Sequence, residues 1–324
     1  MNRRAFLATL AAAPILLRDD PEAFAQRLGG TPLALVTADT EAQVLAVHLG
    51  TGSVYKRIPT LAGPRSIETV GSTGAALVAH TAEGAITLVD ARTLLVRRVL
   101  RGFEEPRYTA AKPGSRWAYV SDSARRQVVV VDVLDGHIAG RVSVPGPARH
   151  LSIAPNGRFL WVALGSKAAR VAVVDLSRPA SPRVARTFAP PFLAHDVAFQ
   201  PGSSRVWLTS GDRRELAVYD ARTGRLVRRL DGDAPPQHLA FAAGFAYVTS
   251  GDDGTLAVHS LSSGVVVRTT RVPPGSYNVG EGWGVVFTPS LARGTLCVLD
   301  RHGRLRAQVR VAPSSHDACF LVSA

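Results

Sequence analysis

The residues best suited to chemistry in this chain are histidines, and two of them sit in copies of one short motif. "HDVAF" at 195–199 and "HDACF" at 316–320 each place a His-Asp pair ahead of a Phe. Imidazole titrates near neutral pH and is the commonest transition-metal ligand, and an adjacent carboxylate either joins the metal or fixes the imidazole tautomer. His195, Asp196, His316 and Asp317 therefore read as metal ligands or as acid/base pairs. His150, in "ARHLSIAPNG", and His238, in "PQHLAF", precede similar apolar segments and join them. A structural reading competes, because His and Asp also bond the backbone of adjoining loops, and a repeat protein copies such residues faithfully.

The choice depends on the elements that hold these residues. "AITLVDARTL", "VVVVDVLDG", "VAVVDLS", "LAVYDARTG", "LAVHSLSSG" and "LCVLDRHG" are variants of one unit, a period-two strand that usually ends in Asp and is followed by a turn; "VLAVHLGTG" is a weaker copy. Aligned on that position, Leu49, Asp90, Asp132, Asp175, Asp220, Ser260 and Asp300 follow one another at intervals of 40 to 45 residues. That spacing predicts an all-β, seven-bladed propeller of four-stranded antiparallel blades. In the fifth blade the strands are "HDVAF", "RVWLTS", "ELAVYD" and "RLVRRL", with Gly224 supplying the positive φ of the last hairpin. The first blade has only three strands at its own position, so "HDACFLVS" from the far end must complete it and close the ring.

"AYVSDS", "AYVTSGDDGTLAVHSLSSG" and "ARHLSIAPNGRFLWVAL" resemble YVTN-type (YncE-like) propeller repeats of exported bacterial proteins, distantly similar to WD repeats. The resemblance spans Leu33 to Ala324. It implies the fold and leaves function open, since such propellers include binding scaffolds, lactonases, lyases and cofactor-bearing oxidoreductases. The Gly-rich seventh blade, "SYNVGEGWGVVFTPSLARG", departs from the repeat at its inner strand.

In a propeller the start of each innermost strand lies near the mouth of the central channel. In blade order these starts are His316, Arg65-Ser66, Arg107-Tyr108, Arg149-His150, His195-Asp196, Gln237-His238 and Tyr277-Asn278. The mouth candidates are thus His150, His195, Asp196, His238, His316, Asp317, Tyr108, Arg65, Arg107, Arg149 and Asn278. His150, His195 and His238 lie on adjacent blades and form the candidate transition-metal set, with Asp196 as ligand or orienting group. Strict alternation sets His195 in register with Arg149 and Gln237, facing away from His150 and His238. His316 lies three blades from His195, across the channel. Arg65, Arg107 and Arg149 read either as an anion-binding rim or as ordinary solvated charge. His48 and His259 read as structural, and Trp117, Trp161, Trp207 and Trp283 as second-strand residues packed between blades. No phosphate-cradling loop, nucleophile elbow, HExxH or CxxC is present.

The 324 residues, 46% of them hydrophobic, suffice for a large core. "MNRRAFLATLAAAPILL" followed by "AFA" has the layout of a cleaved signal peptide over residues 1–25, of twin-arginine character, with residues 26–324 as the propeller domain. An exported, periplasmic or extracellular, soluble monomer with no membrane span is expected. The net charge of +13 favours acidic polymers or nucleic acid, although Lys occurs only at 56, 112 and 167 and the arginines are dispersed. Cys297 and Cys319 lie in apolar runs and read as buried thiols or as one bridge. The leading expectation is a binding or interaction scaffold whose small-molecule or protein partner sits at the channel mouth. Its rivals are a metal- or cofactor-dependent enzyme of lactonase, lyase or redox-linked type, and polyanion or DNA binding.

Overall fold

Each period-two run that ends at the repeat position becomes the third strand of a blade, as at Ala85–Asp90, Gln127–Asp132, Glu215–Asp220 and Thr295–Asp300. The terminal Asp caps the turn that follows. Asp90 Oδ1 accepts the Thr93 amide at 2.8 Å and Asp220 Oδ1 the Thr223 amide at 2.9 Å. His48 imitates it in the first blade, its Nδ1 accepting the Gly50 and Thr51 amides at 3.1 and 3.2 Å. At Gly224, with φ of 72°, the hairpin takes the left-handed conformation that disfavours other residues.

The computed structural model describes residues 30–112 and 114–323, and the segment read as a signal peptide lies outside them. The described residues form seven four-stranded antiparallel sheets. Ala318–Ser323 pairs with Thr31–Ala38, from Thr31 opposite Ser323 to Val36 opposite Ala318, and supplies the first blade's inner strand. Apolar clusters fill the blade boundaries rather than a single centre. One joins Val128 and Val130 to Leu160 and Val174, another joins Trp161 to Phe199 and Tyr219, and a third joins Ala34 and Val36 to Phe287 and Val298 across the closure. Both faces of each middle strand are therefore buried, which is why these strands read as near-continuous apolar runs. No helix of the described residues is long and apolar enough to cross a membrane.

The seventh blade's inner strand is short, Gly280–Gly282, and its glycines admit the closing strand. A Cβ on Gly282 would stand 2.2 Å from Phe320 Cγ. Trp283, expected in a second strand, instead occupies the preceding turn at φ 57°, because the second strand starts only at Val285. It still packs at a blade boundary, against the first blade. Cys297 and Cys319 are both buried free thiols.

The outermost strands are the exposed edges, and Asp231 is the only acid within them, against cations such as Lys56, Arg97, Arg98, Arg228 and Arg268. Some of these cations reach the next blade's turn. Lys56 Nζ donates to the Thr93 carbonyl and Arg228 Nη1 to the Ser263 carbonyl, both at 2.7 Å. Charge on an unpaired strand edge also discourages edge-to-edge association.

Candidate metal centre at the channel mouth

The inner strands of the fourth, fifth and sixth blades begin with a local irregularity. In the fifth, Ala194 pairs with Ser210 but Val197 with Leu208, so one extra residue is inserted at His195-Asp196. In the fourth and sixth, two residues likewise face one. Arg149 and His150 both bond Ala163, and Gln237 and His238 both bond Thr249, at 2.8 to 3.0 Å. A β-bulge re-aims the side chains beside it. It overturns the expectation from strict alternation that His195 faces away from its neighbours, and the three imidazoles meet.

Ring centroids of His150 lie 4.6 Å from His195 and 4.5 Å from His238, and the latter two are 5.3 Å apart. One nitrogen from each ring can be chosen so that all three lie within 4.8 Å of one another. Ligands at ordinary Zn–N distances stand on the order of 3.3 Å apart, so a shift of about 1 Å per ring closes the set on an ion.

The surroundings fix two of the rings. His195 Nδ1 lies 2.9 Å from the Ser166 carbonyl and so carries the proton, leaving Nε2 with a free lone pair. His238 Nδ1 lies 3.3 Å from Asp196 Oδ2, which leaves Nε2 free in the same way. This is the arrangement by which outer groups orient metal-binding imidazoles. His150 is buried at 2% exposure, and neither of its ring nitrogens has a hydrogen-bond partner. Burial first, and then the nearby His238 and His195, push its pKa well below the usual histidine range; burial pushes His195 down to about 4. Both rings are therefore neutral at physiological pH, the form that binds metal.

Tyr108 covers one side, its ring centroid 3.8 Å from that of His150, and the Arg149 guanidinium lies 5.9 Å from the Tyr108 ring centre. Of the expected arginine rim, Arg65 already pairs with Asp39 at 3.7 Å and Arg107 with Glu105. His316 stands apart from the triad. Its Nδ1 bonds the Arg65 carbonyl at 2.7 Å, and Asn278 Nδ2 donates to the His316 carbonyl at 2.8 Å. Asp317 and Asp196 do the same work in two places. Asp317 accepts the amides of Ala318 and of Ile67 in the next blade at 2.8 and 3.1 Å, and Asp196 those of Val197 and of Leu239 in the next blade at 2.7 and 3.3 Å. The repeated His-Asp motif is thus a clasp between blades, and only its first copy also faces a histidine cluster.

His150, His238 and Tyr108 border a channel cavity of about 440 Å³ whose other walls include Glu68, Asp317 and Glu281. Burial, with the Asp317 charge adding to it, raises the Glu68 carboxyl to about 8; burial raises Asp317 to about 6 and Glu281 above its usual value. Sequence reading missed the Ser166 carbonyl and Glu281. The first carries no side-chain signal, and the second hides in a Gly-rich strand. A second acid-rich group, Asp132, Asp135 and His137, lies on a turn of the third blade, where Arg116 bonds both carboxylates and supplies their counter-charge.

No family model matches the sequence, and no curated protein is similar to it in sequence. Solved structures are similar in fold. A functionally unknown protein from Desulfotomaculum acetoxidans superposes with a TM-score of 0.78 at 12% identity, over 90% of this chain and 99% of that one. A putative 6-phosphogluconolactonase from Bacteroides fragilis gives 0.75 at 10%, over 90% and 98%. Apo AztD from Citrobacter koseri gives 0.72 at 11%, over 91% and 99%. Identities this low establish the seven-bladed propeller and nothing about the site.

Proposed function

We propose that this protein is a transition-metal-binding propeller in which His150, His195 and His238 hold the ion at the channel mouth and the adjoining cavity receives a small ligand. The observation that carries this reading is His150, a buried imidazole with both nitrogens unpartnered and with the rings of His195 and His238 directed to the same place. Leaving a buried polar atom unsatisfied costs about 1–3 kcal/mol, and a bound ion removes that cost for the nitrogen it takes. Three imidazole nitrogen donors favour Zn, Cu, Ni or Co over Mg or Ca. Three protein ligands also leave a coordination position open, from which the ion supplies Lewis acidity toward an oxygen or nitrogen donor of the ligand. The test is elemental analysis and chelator competition on purified protein. About one equivalent of a first-row metal is expected, lost in His150→Ala and in His238→Ala; wild-type protein that takes up no metal rules the reading out.

A second reading, a metal-dependent hydrolase of lactonase type, is favoured by the Glu68 carboxyl, which keeps its proton near neutrality on another wall of the same cavity. It predicts turnover of simple lactones by metal-loaded protein that is lost on both chelation and Glu68→Ala substitution. Binding without turnover leaves the first reading alone.

A further inference from the structure

Between the sixth and seventh blades lies a groove of about 570 Å³, and no carboxylate lines it. Its walls carry three guanidinium groups, from Arg271 at the end of the sixth blade's outer strand, Arg293 on the turn after Val285–Pro289, and Arg310 at the end of Leu305–Arg310. Arg293 and Arg310 make no ion pair among the described residues, and Arg271 Nη1 donates only to the Asp253 carbonyl, at 3.2 Å. Like charges gathered on one concavity raise one another's energy. No carboxylate of the groove lining offsets them.

Across their strand pairs Arg271 and Arg310 face Thr255 and Thr295, so neither arginine has a carboxylate opposite it. Thr295 Oγ1, at the groove, is buried and has no hydrogen-bond partner.

We propose that this groove binds a compact polyanion, a small molecule carrying two or more carboxylate or phosphate groups. Guanidinium forks from Arg293 and Arg310 grip two oxyanion groups in bidentate fashion, and Arg271 supplies the third charge. The volume lies in the range of ordinary small-molecule sites.

The experiment is calorimetric titration of metal-stripped protein at low ionic strength with citrate and, separately, with pyrophosphate, so that neither anion can act through a metal at the histidines. One-to-one saturable binding is expected, weakening with salt and falling about tenfold or more in an Arg293→Ser/Arg310→Ser double variant. Binding by citrate alone identifies a polycarboxylate ligand, and by pyrophosphate alone a phosphorylated one. Arg225→Ser, on an exposed outer strand elsewhere, should leave binding intact, as should His150→Ala, which keeps this outcome separate from the metal reading. Both Arg293 and Arg310 are exposed, and an unchanged melting curve verifies that the double variant folds. No saturable binding of either anion by wild-type protein, or equal binding by the double variant, overturns the proposal.

Discussion

Asp196 and His238 belong to different blades, yet Oδ2 of the first lies 3.3 Å from Nδ1 of the second, and the same oxygen accepts the Leu239 amide. One carboxylate thereby fixes both the docking of two sheets and the tautomer of a candidate metal ligand. Replacing it separates the two roles. Asp196→Ala should destabilise the protein by about 1–3 kcal/mol, because two amides lose their acceptor. Asp196→Asn keeps one acceptor oxygen of the two, so it should lose less stability than Asp196→Ala, while its weaker amide partner for His238 lowers metal affinity about 10–100-fold. Urea unfolding and chelator competition on the two variants read these effects independently.

His150 offers a test that distinguishes ligand from scaffold. A structural histidine makes bonds that Phe cannot, whereas this ring makes none. Metal-free His150→Phe should therefore be at least as stable as metal-free wild type, and should gain no stability when metal is added. Thermal melts with and without chelator provide the comparison; a variant several degrees less stable than the metal-free wild type would contradict it.

The Glu68 carboxyl, raised to about 8 from 4.5, makes stability fall with rising pH. The folded state holds this proton while the unfolded chain has released it, so the contribution is complete below 4.5 and is lost as pH passes through 8. Asp317, at about 6, acts with the same sign lower down, while His150 and His195, neutral when folded, act oppositely below 6.5. Between pH 6.5 and 8 Glu68 is the dominant member of this set, and Glu68→Gln should flatten the decline seen by denaturant unfolding there.

Ring closure depends on small residues, Gly282 among them. A methyl group at Gly282 would meet Phe320 of the closing strand, so Gly282→Ala should cost about 1–3 kcal/mol by overpacking. Limited proteolysis should show the termini released first. Gly71, with nothing within 4 Å of its Cβ position, is the matched control and should tolerate Ala.

Much of this architecture is legible in the sequence because it is periodic. The repeat at Asp90, Asp132, Asp175, Asp220 and Asp300 reports third strands directly, and the lone terminal "HDACFLVS" reports the closure. The candidate histidines are legible for the same reason, as residues at one structural level. Their convergence is not, since it depends on an inserted residue at His195-Asp196 that alternation cannot register. Nor could sequence reveal the Ser166 carbonyl, which any residue would offer, or the arginine groove, whose members come from separate turns and strand ends of two blades.

The closing strand has a temporal consequence. His150, His195 and His238 leave the ribosome within one contiguous stretch, long before Asp317, which forms part of the cavity wall, is made. The ligand set is therefore encoded locally while the chamber beside it is finished last, in the same step that seals the ring. A chain interrupted before residue 315 still carries all three imidazoles but lacks both the Asp317 wall beside them and the strand that seals the ring.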